Sequence, residues 1–238
     1  MTDAPTERPK RFYKQAEAEQ IPGGWTVALD GRSIKTPARE AFSLPTEKLA
    51  KAIAAEWNGQ GERIDLARMH LTRLANVAID RTPEMREEMA DEVARYCETD
   101  LICHLAEGPQ ELVARQDEYW TPVREWAGRA LDIFLVPVEG VVASPQPDAS
   151  LEAARSHVLG MDDFRLTGTL YACGLFGSAL LALAVMESQM TASEAFERSR
   201  IDEAWQNEQW GEDDEAKIAT EARRKEARAL DAWIRALR

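Results

Sequence analysis

The sequence lacks the motifs with which many enzymes hold phosphate groups, since neither GxxxxGK followed by Ser or Thr nor GxGxxG occurs in its 238 residues. Ser178 does not stand in a GxSxG motif, and none of the three histidines has a sequence neighbour that indicates a catalytic triad. Soft metal ligands are few, because the cluster of Cys97, Cys103 and His104 matches no zinc spacing. We therefore predict no catalytic residue, no metal and no cofactor.

Basic side chains are scarce relative to acidic ones, at 29 Lys and Arg against 42 Asp and Glu, for a formal net charge of -13. Residues 1–40 hold seven basic and six acidic residues (+1), which leaves 22 against 36 (-14) for residues 41–238. Binding to nucleic acid depends on basic patches that release counterions from phosphate. The charge therefore argues against a nucleic-acid partner and favours a basic protein surface.

Cysteine is also scarce, and the odd count of three, with Cys173 as the third, suggests no disulfide framework. The N-terminal segment lacks the apolar stretch of a secretory signal, and Asp3 and Glu7 make it too acidic for a typical mitochondrial transit peptide. We expect a reducing compartment, either a bacterial cytoplasm or the location of an already processed organellar protein.

The first fifty residues are typical of β structure. A β-rich run with Trp25, Val27 and Leu29 on one face meets the dipeptide Asp30-Gly31, which favours a type I′ turn, and a second short run follows through Ile34. The segment AFSL at 41–44 is a candidate for a further strand. Thr46 is then placed as the N-cap of a helix whose inner face carries Leu49, Ile53 and Trp57.

Helical patterns dominate the rest of the chain. We predict helix starts at Thr82-Pro83 and at Thr121-Pro122, a capping box formed by Thr191 and Glu194, and a C-terminal helix. The expected inner faces are Met85, Met89, Val93 and Tyr96 in the first of these helices, and Ala222, Leu230, Trp233 and Leu237 in the last. The patterns predict an α+β protein with a small N-terminal β-rich domain (1–58) and a larger, mainly α-helical domain (59–238).

Residues 166–186 form a run of 21 residues without a charge, which is long enough to span a bilayer. Thr167, Thr169 and Ser178 dilute its hydrophobicity, and no basic flank occurs beyond Arg165. We favour a buried central helix over a membrane span, with glycines such as Gly177 allowing close helix contacts.

The segment IDEAWQNEQWGEDDEA at 201–216 combines seven acidic residues with two tryptophans and has no basic residue. One interpretation places Trp205 in the core and Trp210 at a helix end before Gly211, with the acids as a solvated rim. The other interpretation is that a rigid corner anchored by tryptophan presents the acids to a basic partner. Periodicity alone slightly favours the first.

The chain resembles the chaperones of the Atp-twelve type, which assemble the F1 head of ATP synthase by binding its free α subunit. Eight segments in order carry the resemblance: RFYK (11–14), LDGRSIKTP (29–37), LAKAIAAEW (49–57), MHLTRLANVAIDR (69–81), YCETDLICH (96–104), RQDEYWTPVREW (115–126), GSALLALA (177–184) and WQNEQWGEDDEA (205–216). His70 departs from the family, which more often has proline there.

The resemblance implies a two-part α+β protein that is not an enzyme and that protects the free α subunit from aggregation without hydrolysing nucleotide. From the composition of residues 166–186 we expect no stable membrane insertion, and we expect a monomer in the bacterial cytoplasm. The resemblance changes the weighting of the acidic segment in favour of partner contact. The predicted partner-binding residues are Glu203, Glu208, Glu212, Asp213 and Trp210, and the predicted structural anchors are Trp205 and Gly31.

Two alternatives stay open. The first is a small-molecule enzyme with an acidic pocket between the two domains, in which Glu208 or Asp213 titrates near neutral pH. The second is a membrane-associated factor that uses residues 166–186.

Overall fold

The structure is a computed structural model, and it describes residues 8–140 and 144–238. Its compact units are residues 8–83 together with 232–238, and the described residues between 84 and 231. The α+β class is confirmed, since a small antiparallel sheet precedes a mainly helical region. The expected domain boundary between residues 58 and 59 lies within the first unit, and the division into domains stays a prediction.

The described residues form ten α-helices and five short strands. The helices are α1 (Glu47–Asn58), α2 (His70–Asp80), α3 (Thr82–Glu98), α4 (Gln110–Leu131), α5 (Asp148–Leu159), α6 (Asp163–Phe176), α7 (Ala179–Met186), α8 (Ala192–Arg198), α9 (Ile201–Trp210) and α10 (Asp214–Ala236). The strands are β1 (Ala16–Ile21), β2 (Gly24–Leu29), β3 (Arg32–Ser33), β4 (His104–Leu105) and β5 (Val138–Glu139). Two short 3-10 helices complete the list: Leu66–Arg68 lies between α1 and α2, and Leu101–Cys103 lies between α3 and β4.

The predicted hairpin at Asp30-Gly31 is confirmed. β2 pairs with β3 in antiparallel register, and both turn residues have positive φ, 48° at Asp30 and 78° at Gly31, as a type I′ turn requires. The sheet order is β1-β2-β3, so β1, which the pattern did not predict, occupies the other side of β2. Residues 41–44 form only isolated bridges, Lys35 with Ala41 and Trp25 with Leu44, rather than the further strand considered above.

Helix α1 packs on the sheet as its pattern predicts. Thr46 is the N-cap and accepts a hydrogen bond from the amide of Leu49, while Leu49 and Ile53 are fully buried. Trp57 lies at the half-buried end of the same face.

Helix α2 begins after Met69, whose side chain cannot cap it. Glu56 of α1 replaces the missing cap, because its carboxylate accepts hydrogen bonds from the amides of Leu71 and Thr72 and from the Thr72 hydroxyl, at 2.8–2.9 Å. Burial of this carboxylate raises its pKa, and these hydrogen bonds oppose the rise.

The apolar run 166–186 is buried, but the prediction of one helix is wrong. It divides into the later part of α6 and the whole of α7 because Gly177 adopts a left-handed conformation (φ 67°) and Ser178 caps α7 by accepting from the Leu181 amide. A Cβ on Gly177 would approach only Leu101, at 3.9 Å, so the glycine serves the backbone turn rather than a close helix contact. In the described ranges, no helix combines the length and the apolarity needed to cross a bilayer.

The predicted helix start at Thr121-Pro122 is also wrong, because α4 continues through both residues. Its buried face has residues at intervals of three and four, and the packing of this face outweighs the hydrogen bond that Pro122 cannot donate. The buried residues are Leu112, Gln116, Trp120, Val123 and Ala127. The Trp120 indole also donates to the Arg198 carbonyl at 2.8 Å. Packing of a continuous face therefore decides the length of this helix.

The other helix predictions are confirmed in part. The capping box of Thr191 and Glu194 is present at the start of α8. α3 includes Thr82 as its first residue and is kinked at Met85, which is 40% exposed instead of lying on the inner face. In α10 the expected Leu230 and Trp233 are buried, whereas Ala222 is exposed.

Candidate partner-binding site

The acidic segment forms an exposed corner between two helices. We call this corner the acidic tip and define it as residues 208–218. It comprises the end of α9, the turn Gly211–Asp213 and the start of α10, and every residue in it is exposed. It carries five acidic residues and one lysine, a formal charge of -4 over eleven residues.

Local sequence explains why the chain turns here. Gly211 has φ 86°, a conformation that is cheap only for glycine, and its amide donates to the Asn207 carbonyl to end α9. Asp213 then starts α10, because its carboxylate accepts from the amides of Glu215 and Ala216 at 3.1 Å. The turn is therefore held by backbone geometry and a cap.

Two large apolar side chains of the tip face solvent. Trp210 is 80% exposed and Ile218 is 72% exposed, and they flank the acids Glu212 to Glu215. A large aromatic side chain is usually placed where it buries most of its surface. An apolar pair left uncovered beside a dense charge is a feature of surfaces that bind another molecule.

Arg115 of α4 fixes the base of the tip. Its guanidinium donates two hydrogen bonds to Glu208, at 2.8 and 3.0 Å, and lies 5.2 Å from the centre of the Trp205 ring. The hydrogen bonds from Arg115 lower the pKa of the Glu208 carboxyl, although that group is exposed. Glu208 is thus charged and already paired.

The predicted site residues do not all have the same role. Glu212, Asp213 and Trp210 lie together in the tip, while Glu203 lies in the first turn of α9, 3.6 Å from Arg200. Glu212 and Asp213 have no ion-pair partner among residues 8–140 and 144–238, in contrast to Glu208.

The two predicted anchors also differ. Trp205 is half-buried beneath Arg115, rather than in the core where one interpretation placed it. Gly31 lies in the first unit and closes the β2–β3 turn. Partner binding by any of these residues stays a prediction.

Sequence reasoning missed Arg115 and Ile218. The pairing of Arg115 with Glu208 spans 93 positions, and nothing local to either residue indicates it. Ile218 falls on a helix with a clear apolar face, so its exposure depends on how the start of α10 is packed.

The tip is not arranged for acid-base catalysis. The pKa of Glu208 is shifted downwards, opposite to the direction that an acid working near neutral pH requires, and Asp213 is engaged as a helix cap. Within the described residues, no group of three or more His, Cys, Asp and Glu could hold a metal ion. The three thiols are unpaired and buried, and burial raises the pKa of Cys103 to about 12, so they are poor nucleophiles.

Comparison with known proteins decides the family. A family model described as ATP12 chaperone protein matches residues 10–128, half of the chain. This protein belongs to the ATP12 chaperone family. The resemblance to the Atp-twelve type inferred from the eight segments is therefore confirmed.

Solved structures support the same assignment over nearly the whole chain. Atp12 from Paracoccus denitrificans is 37% identical with a TM-score of 0.89, and the match covers 97% of this chain and 99% of that one. A single-residue mutant of P. denitrificans Atp12p matches at 36% identity and a TM-score of 0.89, covering 97% and 98%. The mitochondrial protein atp12 of Schizosaccharomyces pombe is 23% identical over 85% of this chain and 74% of its own length. As a member of the ATP12 family, the protein is a chaperone.

Proposed function

We propose that this ATP12 chaperone binds the free α subunit of the F1 head of ATP synthase, prevents its aggregation and promotes F1 assembly without catalysing a reaction. The observation that carries the proposal is the acidic tip, where exposed Trp210 and Ile218 flank acids that lack an ion-pair partner among the described residues. The resemblance of the eight segments supplies the identity of the client.

The physical task matches such a surface. A subunit separated from its neighbours exposes apolar interface and unpaired polar groups, which favours aggregation. The tip offers two apolar side chains for such an interface, and Glu212 to Glu215 together with Lys217 carry a formal charge of -3 for basic groups around it, in addition to the paired Glu208. Exposed charges of this kind increase association rate and specificity more than they stabilise a fold.

The cellular setting is part of the same proposal. We place the protein in the bacterial cytoplasm, with the mitochondrial matrix as the corresponding compartment of its mitochondrial relatives, and expect a monomer that releases the α subunit when the β subunit replaces it.

The experiment measures light scattering of isolated α subunit in the presence of chaperone variants. Glu212→Lys and Trp210→Ala are the cleanest changes, since Glu212 has no ion-pair partner among the described residues and Trp210 is largely exposed. Both should leave circular dichroism and melting temperature nearly unchanged, yet weaken protection of the α subunit. Glu208→Lys would also break the pair with Arg115, so its effect is harder to assign.

The matched control is Glu88→Lys, which makes the same charge change at an exposed acid on α3 that has no ion-pair partner in the described part of the chain. It should protect as well as the wild type. Full protection by the Glu212 and Trp210 variants would remove the tip from the binding surface. If Glu88→Lys lost as much protection as Glu212→Lys, the effect of both variants would be explained by the change in net charge.

A further inference from the structure

The first unit contains a groove lined by aromatic and basic side chains, with a volume of about 530 Å³. We call it the aromatic groove and define it by Phe12, Tyr13, Leu29, Arg32, Lys35 and Trp57. Three of its rings contact one another edge to face, Phe12 with Tyr13 at 5.4 Å and Tyr13 with Trp57 at 5.6 Å between centres. The Tyr13 hydroxyl donates to the Trp57 carbonyl at 2.6 Å, which holds this row of rings in place.

Phe12 is the outermost ring of the row and is 74% exposed. Its only ring contact within the described residues is the edge of Tyr13, so most of its surface is available to another apolar side chain. Such an exposed aromatic beside a cavity is an apolar attachment point.

The groove is basic in a protein that is otherwise strongly acidic. Arg32 and Lys35 are exposed, and neither has an ion-pair partner among residues 8–140 and 144–238. The one acid in the lining, Asp30, is engaged elsewhere, because its carboxylate accepts from the amides of Lys14 and Gln15 at 3.0–3.1 Å. These amide hydrogen bonds lower the pKa of Asp30.

The Trp57 indole, which lines the groove, carries an unsatisfied donor. Its Nε1 atom is closed to solvent and has no hydrogen-bond partner among the described residues. The ring of Trp57 therefore bounds the groove, while its N–H lies beneath the surface.

We propose that the aromatic groove binds an acidic segment of the client that carries an aromatic or aliphatic side chain. The apolar side chain packs against Phe12, and the carboxylates pair with Arg32 and Lys35. This inference rests on the proposed function for the existence of a client, and it adds a second contact of opposite charge to the acidic tip.

Charge complementarity selects this occupant. Residues 41–238 carry a formal charge of -14, so an acidic segment is repelled by most of the molecule and is attracted to the groove. A basic segment would face two cations, Arg32 and Lys35, against the single carboxylate of Asp30. The cavity volume lies within the range of roughly 300–1,000 Å³ that is usual for binding sites.

The test measures fluorescence anisotropy with a labelled peptide, acetyl-Glu-Phe-Glu-Leu-Asp-amide, and the full-length protein. We expect saturable binding that the Arg32→Glu/Lys35→Glu double variant weakens by at least about tenfold. Lys48→Glu, a matched change at an exposed lysine of α1 outside the groove, should alter affinity by less than about twofold. A peptide with lysine at the three acidic positions should not bind.

The position of the peptide is read from the indole N–H signals in a ¹H–¹⁵N spectrum, with the Trp57 signal assigned by Trp57→Phe. Binding should shift the Trp57 signal, because its ring lines the groove. No peptide binding, binding unaffected by the double variant, or an unmoved Trp57 signal would each overturn the proposal. Protection of the α subunit by the wild-type protein would persist in those cases, so failure here is distinguishable from failure of the proposed function.

Discussion

At the scale of single residues, the acidic segment shows how far a local pattern extends. Its exposure, the helix end at Trp210 and the turn at Gly211 follow from nearby residues, and the helix end agrees with the first interpretation of this segment. The contact of Trp205 with Arg115 joins residues ninety positions apart, and a single sequence contains no measure of that contact. The tip geometry was therefore accessible to prediction, whereas the pairing of Glu208 was not.

The fully buried Asp100 offers a residue-scale test of charge burial. Its carboxylate accepts from the amides of Ile102 and Leu180, at 3.2 and 3.0 Å, near the N-terminus of α7. Burial raises its pKa from 3.8 to about 6, more than these hydrogen bonds lower it. The folded state thus binds this proton more tightly than the unfolded state does.

We predict that Asp100 stabilises the fold most at low pH. Because its pKa is raised by folding, its contribution is greatest below pH 4, declines as pH rises from about 4 to 6, and is constant above that. Measured against Asp100→Asn, which cannot titrate, the free energy of unfolding should fall by up to about 3 kcal/mol across this interval. Urea unfolding at several pH values tests this. A difference between the two proteins that is independent of pH would contradict it.

At the scale of elements, the helix caps could be predicted from the sequence, but the places where a helix breaks or continues could not. Thr46 and the Thr191–Glu194 box stand beside the amides that they cap, so the information lies within four residues. The Thr121-Pro122 pair has the same local form, yet α4 passes through it because the apolar face continues on both sides. A Thr-Pro pair therefore starts a helix only where the residues before it are not already part of a packed helix.

Helix α2 provides a prediction at this scale, since its cap comes from a different helix. Glu56→Ala removes the acceptor for the Leu71 and Thr72 amides and should lower the free energy of unfolding by about 1–3 kcal/mol. The matched control is Glu47→Ala on the same helix. Among the described residues this acid pairs with Lys51 alone, in an exposed ion pair, and the cost should stay below about 0.5 kcal/mol. Thermal and urea unfolding of both variants would measure the difference, and equal costs would show that Glu56 acts as a surface charge.

At the scale of the whole molecule, the first compact unit contains residues from both the N-terminal and the C-terminal parts of the chain. Residues 232–238 belong to the first unit, where Trp233 is fully buried and the Thr46 hydroxyl donates to the Ala236 carbonyl, 190 positions later. The apolar spacing of the C-terminal helix indicates that Leu230 and Trp233 are buried, but not which residues cover them. Periodicity therefore predicts burial, and chain topology decides the partner.

Three tryptophans on α9 and α10 differ in exposure, so their variants can distinguish a role in stability from a role in partner binding. Trp233 is 0% exposed, Trp205 is half-buried under Arg115, and Trp210 is 80% exposed. Substitution by alanine should lower the free energy of unfolding by about 3–5 kcal/mol at Trp233. The cost should be about 1–2 kcal/mol at Trp205, which loses partial burial and the contact with Arg115, and less than about 0.5 kcal/mol at Trp210.

The same variants should rank differently in protection of the α subunit, because Trp210→Ala removes exposed apolar surface without disturbing the fold. Urea unfolding gives the first order and light scattering of isolated α subunit gives the second. If protection simply follows stability through the series, with Trp210→Ala indistinguishable from the wild type, the exposed indole has no part in binding. A stability loss at Trp210 as large as that at Trp205 would instead mean that the acidic tip packs against the fold in solution.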